Sequence, residues 1–329
     1  MRITAPDGRP GPLGLGLDAY ALALVAYLLL RRVAGDSFWP VFLAGYAASL
    51  ASMASIILIP VALARRQWVT AAAMCVGFAA FATQYSGQLG WRIDPGESPR
   101  LRVVTCNAGN GRAQPDLLVQ AIAQSGADIV GLVEVSGAQR RALEDGLGVT
   151  YPYQLHIGVG TAGKALLSRY AIASWEALEY NPGRPDLVAQ VDVPDHVLRV
   201  VVAHPPPPRI QSTGVHFTDV VAAQYASLLE KLATGEPTVL IGDLNITPQH
   251  QRYDRLRTAG LIDSFAEAGT GSGFTFARRV AGIPTPPMIR IDYVWHSPQL
   301  KAAGAWVGPD VGSDHLPVVA DLTWIAEGK

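Results

Sequence analysis

The sequence predicts an α/β domain, with mixed β-sheets covered by helices, preceded by a region of about three transmembrane helices. Two observations support this division. Of the 329 residues, 49% are hydrophobic and 16% are charged, and nearly all of the apolar excess precedes residue 95. From Leu101 onward, short β-rich runs alternate with stretches whose apolar residues follow a helical period. We therefore divide the chain into a membrane region (1–91), a linker (92–100) and a soluble domain (101–329).

The membrane region contains three apolar runs, at roughly 13–32, 38–64 and 67–90. The stretches 37–64 and 67–91 carry no charged residue, and each exceeds the ~20 residues needed to cross a bilayer. The first run contains Asp18, close enough to its start for the carboxylate to reach water. Core helices of a soluble protein are the alternative interpretation. Two long uncharged runs joined by Arg65 and Arg66 favour the membrane.

The arginines that flank these runs bear on the orientation in the membrane. Three spans would divide them between the two sides as Arg2, Arg9, Arg65 and Arg66 against Arg31, Arg32 and Arg92. By the positive-inside rule, the excess of one arginine favours a cytoplasmic N-terminus and an extracytoplasmic soluble domain in a multi-pass cell-membrane protein. The polar segment 92–100, with two prolines and a glycine, is typical of a linker.

The soluble domain shows strand and helix signals in alternation. Seven β-rich runs lie at 101–107, 127–135, 164–173, 197–205, 238–245, 290–297 and 317–324. Helical periodicity covers 114–126 and 217–235, and each stretch ends on a glycine. A hairpin is predicted to turn at Pro194 and Asp195. Hairpins mixed with strand–helix alternation indicate mixed sheets with helices outside, and about 230 residues suffice for one such core.

Charge and cysteine content exclude no class of function, but the charge makes a nuclease less favoured. Seven of the 26 basic and five of the 27 acidic residues precede Arg100, which leaves 19 against 22 in the soluble domain. A protein that binds long nucleic acid usually presents a basic face, so this mildly acidic balance disfavours a nuclease while leaving it open. Cys75 and Cys106 lie in different parts of the chain and indicate no disulfide framework.

Polar residues follow several of the predicted strands at the point where each strand ends: Asn107, Glu134, His204, and Asp243 with Asn245. Asp292 lies inside the run 290–297, and Asp314 and His315 come just before the last predicted strand. Any one of them alone is better explained as a solvated or capping residue. If the strand ends converge, however, four carboxylates meet, and their repulsion would raise each other's pKa. Mg²⁺ takes oxygen ligands, one or two carboxylates and a substrate phosphate among them, and would remove this repulsion.

Five motifs, "TCNAGNG", "VEV", "GDLN", "RIDYVW" and "SDHLPV", occur in this order and resemble the endonuclease/exonuclease/phosphatase superfamily, which includes DNase I-like nucleases, inositol-polyphosphate phosphatases and bacterial sphingomyelinases. The resemblance runs from about Leu101 to Thr323. It implies a four-layered α/β sandwich, with two packed sheets and helices outside. It also implies a hydrolase that uses Mg²⁺, with Mn²⁺ as an alternative.

The resemblance further implies a role for each polar residue. Glu134 would be the principal metal ligand, with Asn107 beside it and Asp314 as a further carboxylate. Asp243 would orient or deprotonate the attacking water, and Asn245 would hold that water or a phosphate oxygen. His315, oriented by Asp292, would contact the phosphate. His204 would bind phosphate or act as general acid to the leaving oxygen.

Two basic residues are candidates for substrate binding. Lys164, in a "GKALLSR" segment, is within the resemblance and could reach phosphate; a solvated lysine is the alternative. Arg290 lies two residues before Asp292 and hence on the same strand face, where it could pair with an acid or contact substrate.

Three membrane spans in front of this domain type resemble the VanJ-type membrane proteins linked to teicoplanin resistance. That resemblance implies an extracytoplasmic phosphatase that acts on undecaprenyl pyrophosphate and so recycles the cell-wall carrier lipid. The expected partners are the bilayer and a phosphorylated lipid. A membrane-tethered nuclease or phospholipid phosphodiesterase with the same core is an alternative. A non-catalytic membrane receptor for phosphorylated ligands is an alternative of another class.

Overall fold

The computed structural model describes residues 11–85, 100–179, 183–207, 209–211, 214–216, 219–232, 235–276, 279–280 and 283–325. The chain divides into two units. One consists of Met1–Ser86 with Thr247–Gln251, and the other of Gly87–Ile246 with Arg252–Lys329. The linker predicted at 92–100 lies outside the described residues, apart from Arg100, which begins the first strand.

The first unit is helical. Its helices are α1 (Pro12–Val33), α2 (Trp39–Met53), α3 (Ser55–Ala64) and α4 (Trp68–Tyr85). Among the described residues, α1 is long and apolar enough to cross a membrane, and α2 with α3 would add a second span if the bent pair counts as one. The prediction of three spans is therefore corrected to one, or at most two. The apolar part of α4, Trp68–Ala82, is shorter than a span, and 86–90 lies outside the described residues.

The predicted span 38–64 is broken by a bend of 54° between α2 and α3. In a continuous helix the carbonyl of Ala51 would accept the N–H of Ser55. Here the hydroxyl of Tyr20, on α1, donates to the Ala51 carbonyl and lies 2.7 Å from the Ser55 hydroxyl. The Ser52 hydroxyl also donates to Ser49 O. Side chains inserted into the helical ladder are a known cause of bends, so a contact between helices sets this break.

Asp18, the acid in the first apolar run, is satisfied within this unit. Its carboxylate accepts a hydrogen bond from Gln67 Nε2 at 3.1 Å and another from the hydroxyl of Thr70. A carboxylate in an apolar helix is costly unless such donors meet it. Gln67 and Thr70, at the start of α4, therefore supply partners for a carboxylate that is also exposed.

The second unit contains two six-stranded sheets. Its strands are β1 (Arg100–Asn107), β2 (Ile129–Val133), β3 (Tyr153–Ile157), β4 (Lys164–Ser168), β5 (Ile172–Leu178), β6 (Asp186–Val193), β7 (His196–Val202), β8 (Arg209–Gln211), β9 (Gly214–His216), β10 (Thr238–Asp243), β11 (Ile262–Asp263), β12 (Arg279–Val280), β13 (Ile283–Pro284), β14 (Asp292–His296), β15 (Leu300–Val307) and β16 (Val318–Trp324). Its helices are α5 (Pro115–Ser125), α6 (Gly137–Leu147), α7 (Asp219–Leu232), α8 (Gln251–Thr258) and α9 (Ser264–Ala268).

Both sheets are mixed. The first has the strand order β15-β16-β1-β2-β4-β3 and the second β11-β14-β10-β7-β6-β5. In each, one central pair is parallel, β1 with β2 and β7 with β10, while the neighbouring pairs are antiparallel. The predicted hairpin is confirmed, because β6 and β7 pair antiparallel around Pro194 and Asp195.

Three apolar clusters hold these layers together. One lies between the sheets and draws buried residues from both, such as Val103 and Leu166 from the first and Val200 and Ile241 from the second. The other two lie under the outer helices, one beneath α5 and α6 and one beneath α7 and α8. The sheets approach so closely at Gly131 that a Cβ there would lie 2.2 Å from Ile241 Cδ1. The predicted sandwich of two mixed sheets flanked by helices is confirmed.

One predicted strand proves to be two. The run 164–173 divides into β4, in the first sheet, and the start of β5, in the second. The chain therefore crosses between the sheets at 169–171. Alternation of apolar residues cannot reveal such a crossing, because each half satisfies the strand pattern equally well.

Candidate active site

The parallel pairs at the centre of the sheets bring the predicted site residues together. Carboxyl ends of parallel strands lie at one edge of a sheet, so β1 and β2 deliver Asn107 and, one residue beyond β2, Glu134. In the second sheet β7 leads to His204, and β10 ends on Asp243. Asp292 begins β14 directly opposite Asp243. Contacts between these side chains, described below, join the two edges.

The backbone is shaped to present two of these side chains. Glu134 and Asn245 adopt left-handed conformations, with φ of 55° and 52°. Such values are uncommon for residues with a side chain and cluster at functional sites. Gly242, just before Asp243, has φ of 140°, and a Cβ there would lie 2.0 Å from the carbonyl oxygen of Ala203. The glycine of "GDLN" is therefore required where β10 passes β7.

Asp243 lies at the centre of the arrangement. Its Oδ2 accepts a hydrogen bond from Asn107 Nδ2 at 3.0 Å, and its Oδ1 accepts the backbone N–H of Asn245 at 2.9 Å. His204 Nε2 lies 3.6 Å from Asp243 Oδ2 and 3.7 Å from Glu134 Oε1. Asn245 Nδ2 donates to the carbonyl of Pro205, which fixes the amide beside His204. Asp243 thus connects residues from both sheets.

His315 is oriented by Asp292. Its Nδ1 lies 2.9 Å from Asp292 Oδ2, and its Nε2 lies 3.7 Å from Asp243 Oδ2. Thr275 donates its hydroxyl to the same Asp292 oxygen, and the Phe276 ring packs against the imidazole with centroids 4.5 Å apart. Asp292 thereby holds the ring in one orientation with Nε2 facing the acids. Asn107, Glu134, His204, Asp243, Asn245, Asp292 and His315 are called the acid–histidine cluster below.

Burial and mutual repulsion shift the pKa values of this cluster. Burial and the charge of Asp292 raise the pKa of Asp243 to about 7, against the opposing effect of His315. Burial alone would lower the pKa of His315, but the charges of Asp292 and Asp243 outweigh it and raise that pKa to about 9. Burial also raises the pKa of Glu134. Burial, with the charges of Lys164 and Arg184, lowers the pKa of His204 well below its usual value. Burial is the largest cause for Asp243 and for Glu134, so both carboxylates hold a proton more tightly than exposed ones.

The donor set fits a hard divalent cation. Ligand atoms of Asp243, Asp292 and His315 all lie within 4.8 Å of one another. Asp292 Oδ1 is buried and, among the described residues, accepts no hydrogen bond. Carboxylate oxygens suit Mg²⁺ or Mn²⁺. Glu134, the predicted principal ligand, lies 3.7 Å from His204, and Asn107, predicted beside it, donates to Asp243, so both adjoin this group.

Asp314, Lys164 and Arg290 lie outside the cluster. Asp314 Oδ2 is 3.1 Å from Arg112 Nη1, and its charge acts on Glu134 and His315, so its role as a further metal-side carboxylate stays a prediction. Lys164 is buried against Asp186. Arg290 lies in a separate buried ion pair, with Nη1 2.5 Å from Asp263 Oδ2, where its guanidinium also stacks over Phe265 and Tyr293. Arg290 was predicted either to pair with an acid or to contact substrate. The structure shows the pairing with an acid, in the core, and not the substrate contact.

Four residues that support the cluster were not predicted from the sequence: Thr275, Ser313, Arg184 and Asp186. Thr275 orients Asp292, and Ser313 donates to the Asn107 carbonyl and accepts the backbone N–H of His315. The threonine belongs to "GFTF", and the serine to the quoted "SDHLPV", so the sequence did carry a signal for both. For Arg184 and Asp186 it carried none, because their importance depends on long-range contacts.

Comparison with known proteins agrees with this geometry. Residues 104–315, which contain every member of the cluster, match the model of the Endonuclease/Exonuclease/phosphatase family. An endonuclease/exonuclease/phosphatase from Bacteroides vulgatus has a TM-score of 0.54 at 21% identity and covers 69% of this chain and 100% of that one.

Two further solved structures carry functional descriptions. A mannosyl-6-phosphatase from Bacteroides thetaiotaomicron VPI-5482 has a TM-score of 0.51 at 20% identity, over 68% of this chain and 100% of that one. D. rerio TDP2 complexed with single strand DNA product has a TM-score of 0.53 at 16% identity, over 68% and 99%. At these identities the likeness is one of fold. No curated protein sequence matches the chain.

Proposed function

Since this chain belongs to the Endonuclease/Exonuclease/phosphatase family, we propose that it is a membrane-anchored, Mg²⁺-dependent hydrolase of lipid pyrophosphate, acting on undecaprenyl pyrophosphate outside the cytoplasm. The family comprises hydrolases of phosphoester bonds that generally use divalent metal ions. The proposal depends on one observation: four side chains from the two sheets converge. His204 Nε2 lies within 3.7 Å of carboxylate oxygens of Glu134 and Asp243, and His315 Nε2 lies 3.7 Å from Asp243.

The residues of the cluster suit in-line attack of water on phosphorus, which needs positioning and charge neutralisation more than a covalent intermediate. Asp243, whose carboxylate is held by the Asn107 amide and the Asn245 backbone N–H, is placed to accept a proton from the attacking water. His315, cationic and held by Asp292, stabilises negative charge on the phosphoryl oxygens. A divalent cation held by Glu134 and its neighbours would supply Lewis acidity and charge neutralisation.

The helical unit supports a lipid substrate. Besides α1, which can cross a bilayer by length and composition, α3 and α4 expose large apolar side chains. Ile57 is 70% exposed and Val69 is 84% exposed. Apolar surface of this kind marks membrane or protein contacts. A catalytic domain tethered to a bilayer meets lipid headgroups at high effective concentration.

A substrate panel on the purified full-length protein tests the proposal. With Mg²⁺ present, we expect inorganic phosphate to be released from undecaprenyl pyrophosphate, and EDTA to abolish the release. Sphingomyelin, inositol phosphates and plasmid DNA serve as comparison substrates. Phosphocholine release or DNA cleavage without phosphate release from the lipid pyrophosphate would reject this substrate. It would favour a membrane-tethered phosphodiesterase or nuclease instead.

The proposed orientation is tested separately in cells. A reporter enzyme that is active only outside the cytoplasm, fused after Lys329, should be active. The same fusion made with a reporter active only in the cytoplasm should be silent. The reverse pattern would place the catalytic domain inside the cell and rule out an extracytoplasmic substrate.

A further inference from the structure

A buried lysine–aspartate pair adjoins the acid–histidine cluster. Lys164 begins β4 opposite Val133, the residue before Glu134. Its side chain is 1% exposed, and Nζ lies 3.6 Å from Oδ1 of Asp186, whose side chain is also 1% exposed. This separation is longer than a charge-assisted hydrogen bond, so Asp186 leaves donor capacity on the ammonium group.

Asp186 joins this lysine to the cluster. Its Oδ1 also accepts the backbone N–H of His204 at 3.0 Å, and its Oδ2 accepts Gln224 Nε2 at 2.6 Å. Lys164 is thus fixed on the side of the cluster where His204 and Glu134 meet. Burying an ion pair carries a desolvation cost, and apolar residues of similar volume often stabilise a protein as well or better. A buried pair beside His204 therefore points to a function for the lysine beyond stability.

A second cation lies on the same side. Arg184 precedes Asp186 by two residues and is half-buried. Its charge acts on Glu134, on Lys164 and on His204. The charge distribution of the cluster is therefore asymmetric. Acids gather around Asp243 and Asp292, whereas two cations, called the Lys164–Arg184 pair below, adjoin His204.

We propose that the Lys164–Arg184 pair is a second anion-binding position, which holds the phosphate of the leaving group when a phosphoanhydride is cleaved. This rests on the proposed function. Water attacks the terminal phosphorus, its oxygen forms the new P–O bond, and its proton passes to Asp243. The bond to the bridging oxygen breaks, and that oxygen leaves on a lipid monophosphate. The leaving group keeps the bonding electrons as negative charge, which Lys164 and Arg184 neutralise.

Anion binding to the full-length protein tests this position without requiring turnover. Inorganic pyrophosphate and orthophosphate are titrated by calorimetry at matched free Mg²⁺. We expect wild type to bind pyrophosphate at least about tenfold more tightly, the magnitude of one charge-assisted hydrogen bond. Lys164→Met and Arg184→Gln should each lose about tenfold in pyrophosphate affinity. Both should retain orthophosphate affinity within about twofold. The exposed Lys301→Met and Arg257→Gln are matched controls that should change neither.

The outcomes separate this inference from the proposed function. Equal binding of both anions by wild type, or equal loss of both in the variants, would overturn the second anion position. Selective loss of pyrophosphate binding in a protein that hydrolyses no lipid pyrophosphate would uphold the position and reject only the proposed substrate. If Lys164→Met fails to fold, the half-buried Arg184→Gln decides the question by the same comparison.

Discussion

Replacing Glu134 with glutamine should lower kcat/KM by at least about a thousandfold while leaving the protein folded. A metal ion contributes several kcal/mol of charge stabilisation to phosphoryl transfer, and ~4 kcal/mol corresponds to a factor of about a thousand. Glutamine keeps the size of the side chain but removes the charge that would hold the ion. The measurement is phosphate release at saturating Mg²⁺, with the exposed Glu230→Gln as control.

Glu134→Gly separates function from folding at the same position. A residue with a side chain in the left-handed region costs about 1–2 kcal/mol, and glycine avoids this cost. Because Glu134 has φ of 55°, the glycine variant should keep its free energy of unfolding within about 1 kcal/mol of wild type, yet be inactive. Retained activity in the glutamine variant would remove Glu134 from the metal site. Strong destabilisation by glycine would make its role structural.

Replacing His315 with glutamine should lower kcat by about a hundredfold or more, because the cation that faces the phosphoryl oxygens is lost. Phosphate release at saturating substrate is the measurement. His196→Gln, at the exposed start of β7, is the control. A loss of less than about threefold would show that His315 does not stabilise the transition state.

The same histidine gives the metal-free protein a predictable pH dependence. The pKa of His315 is about 9 in the folded protein, whereas an ordinary histidine has 6.5. The pKa of Asp243 is about 7 in the folded protein, whereas an ordinary aspartate has 3.8. Both groups bind protons more tightly in the folded state, so the free energy of unfolding falls as pH rises. In EDTA we expect the decline between about pH 4 and 7 from Asp243 and between about pH 6.5 and 9 from His315. His315→Gln should lack the second part.

The same unfolding measurements in saturating Mg²⁺ are compared with those in EDTA. A bound cation replaces the protons that relieve repulsion among the acids, so it should flatten the decline and bind more tightly as pH rises through 7. Denaturant unfolding at several pH values, with and without Mg²⁺, measures both effects. Stability that rises with pH in EDTA would show that the acids are not crowded in the folded protein.

The sequence predicted the layers of the catalytic domain because strand periodicity and turn residues are local signals. It did not predict β15, "LKAAGAWV", since alanine and glycine favour strands weakly and only pairing with β16 holds them there. It also missed α6, although Ser136 and Gln139 form a capping box that can be read from the spacing. Predicting β15 would have required knowledge of its tertiary contacts, whereas the signal for α6 was present in the sequence.

The site divides in a similar way. Polar residues at strand ends indicated Asn107, Glu134, His204 and Asp243 because the carboxyl ends of parallel strands lie together. The position of Arg290 could not be predicted, since two residues along a strand share a face but can still point to different partners. Run length likewise overstated the membrane spans, because the Tyr20 hydroxyl breaks α2 from α3. The catalytic roles of Asn107, Glu134, His204 and Asp243 stay predictions.

The central claim is that side chains from two sheets hold one divalent cation beside the scissile phosphate. Anomalous diffraction from Mn²⁺-soaked crystals of the full chain tests it most directly. We predict one peak at bonding distance, about 2 Å, from a Glu134 carboxylate oxygen, with Asn107 or Asp243 adjoining. A peak bonded to none of Glu134, Asp243 and Asp292, or no peak at saturating Mn²⁺, would contradict the account.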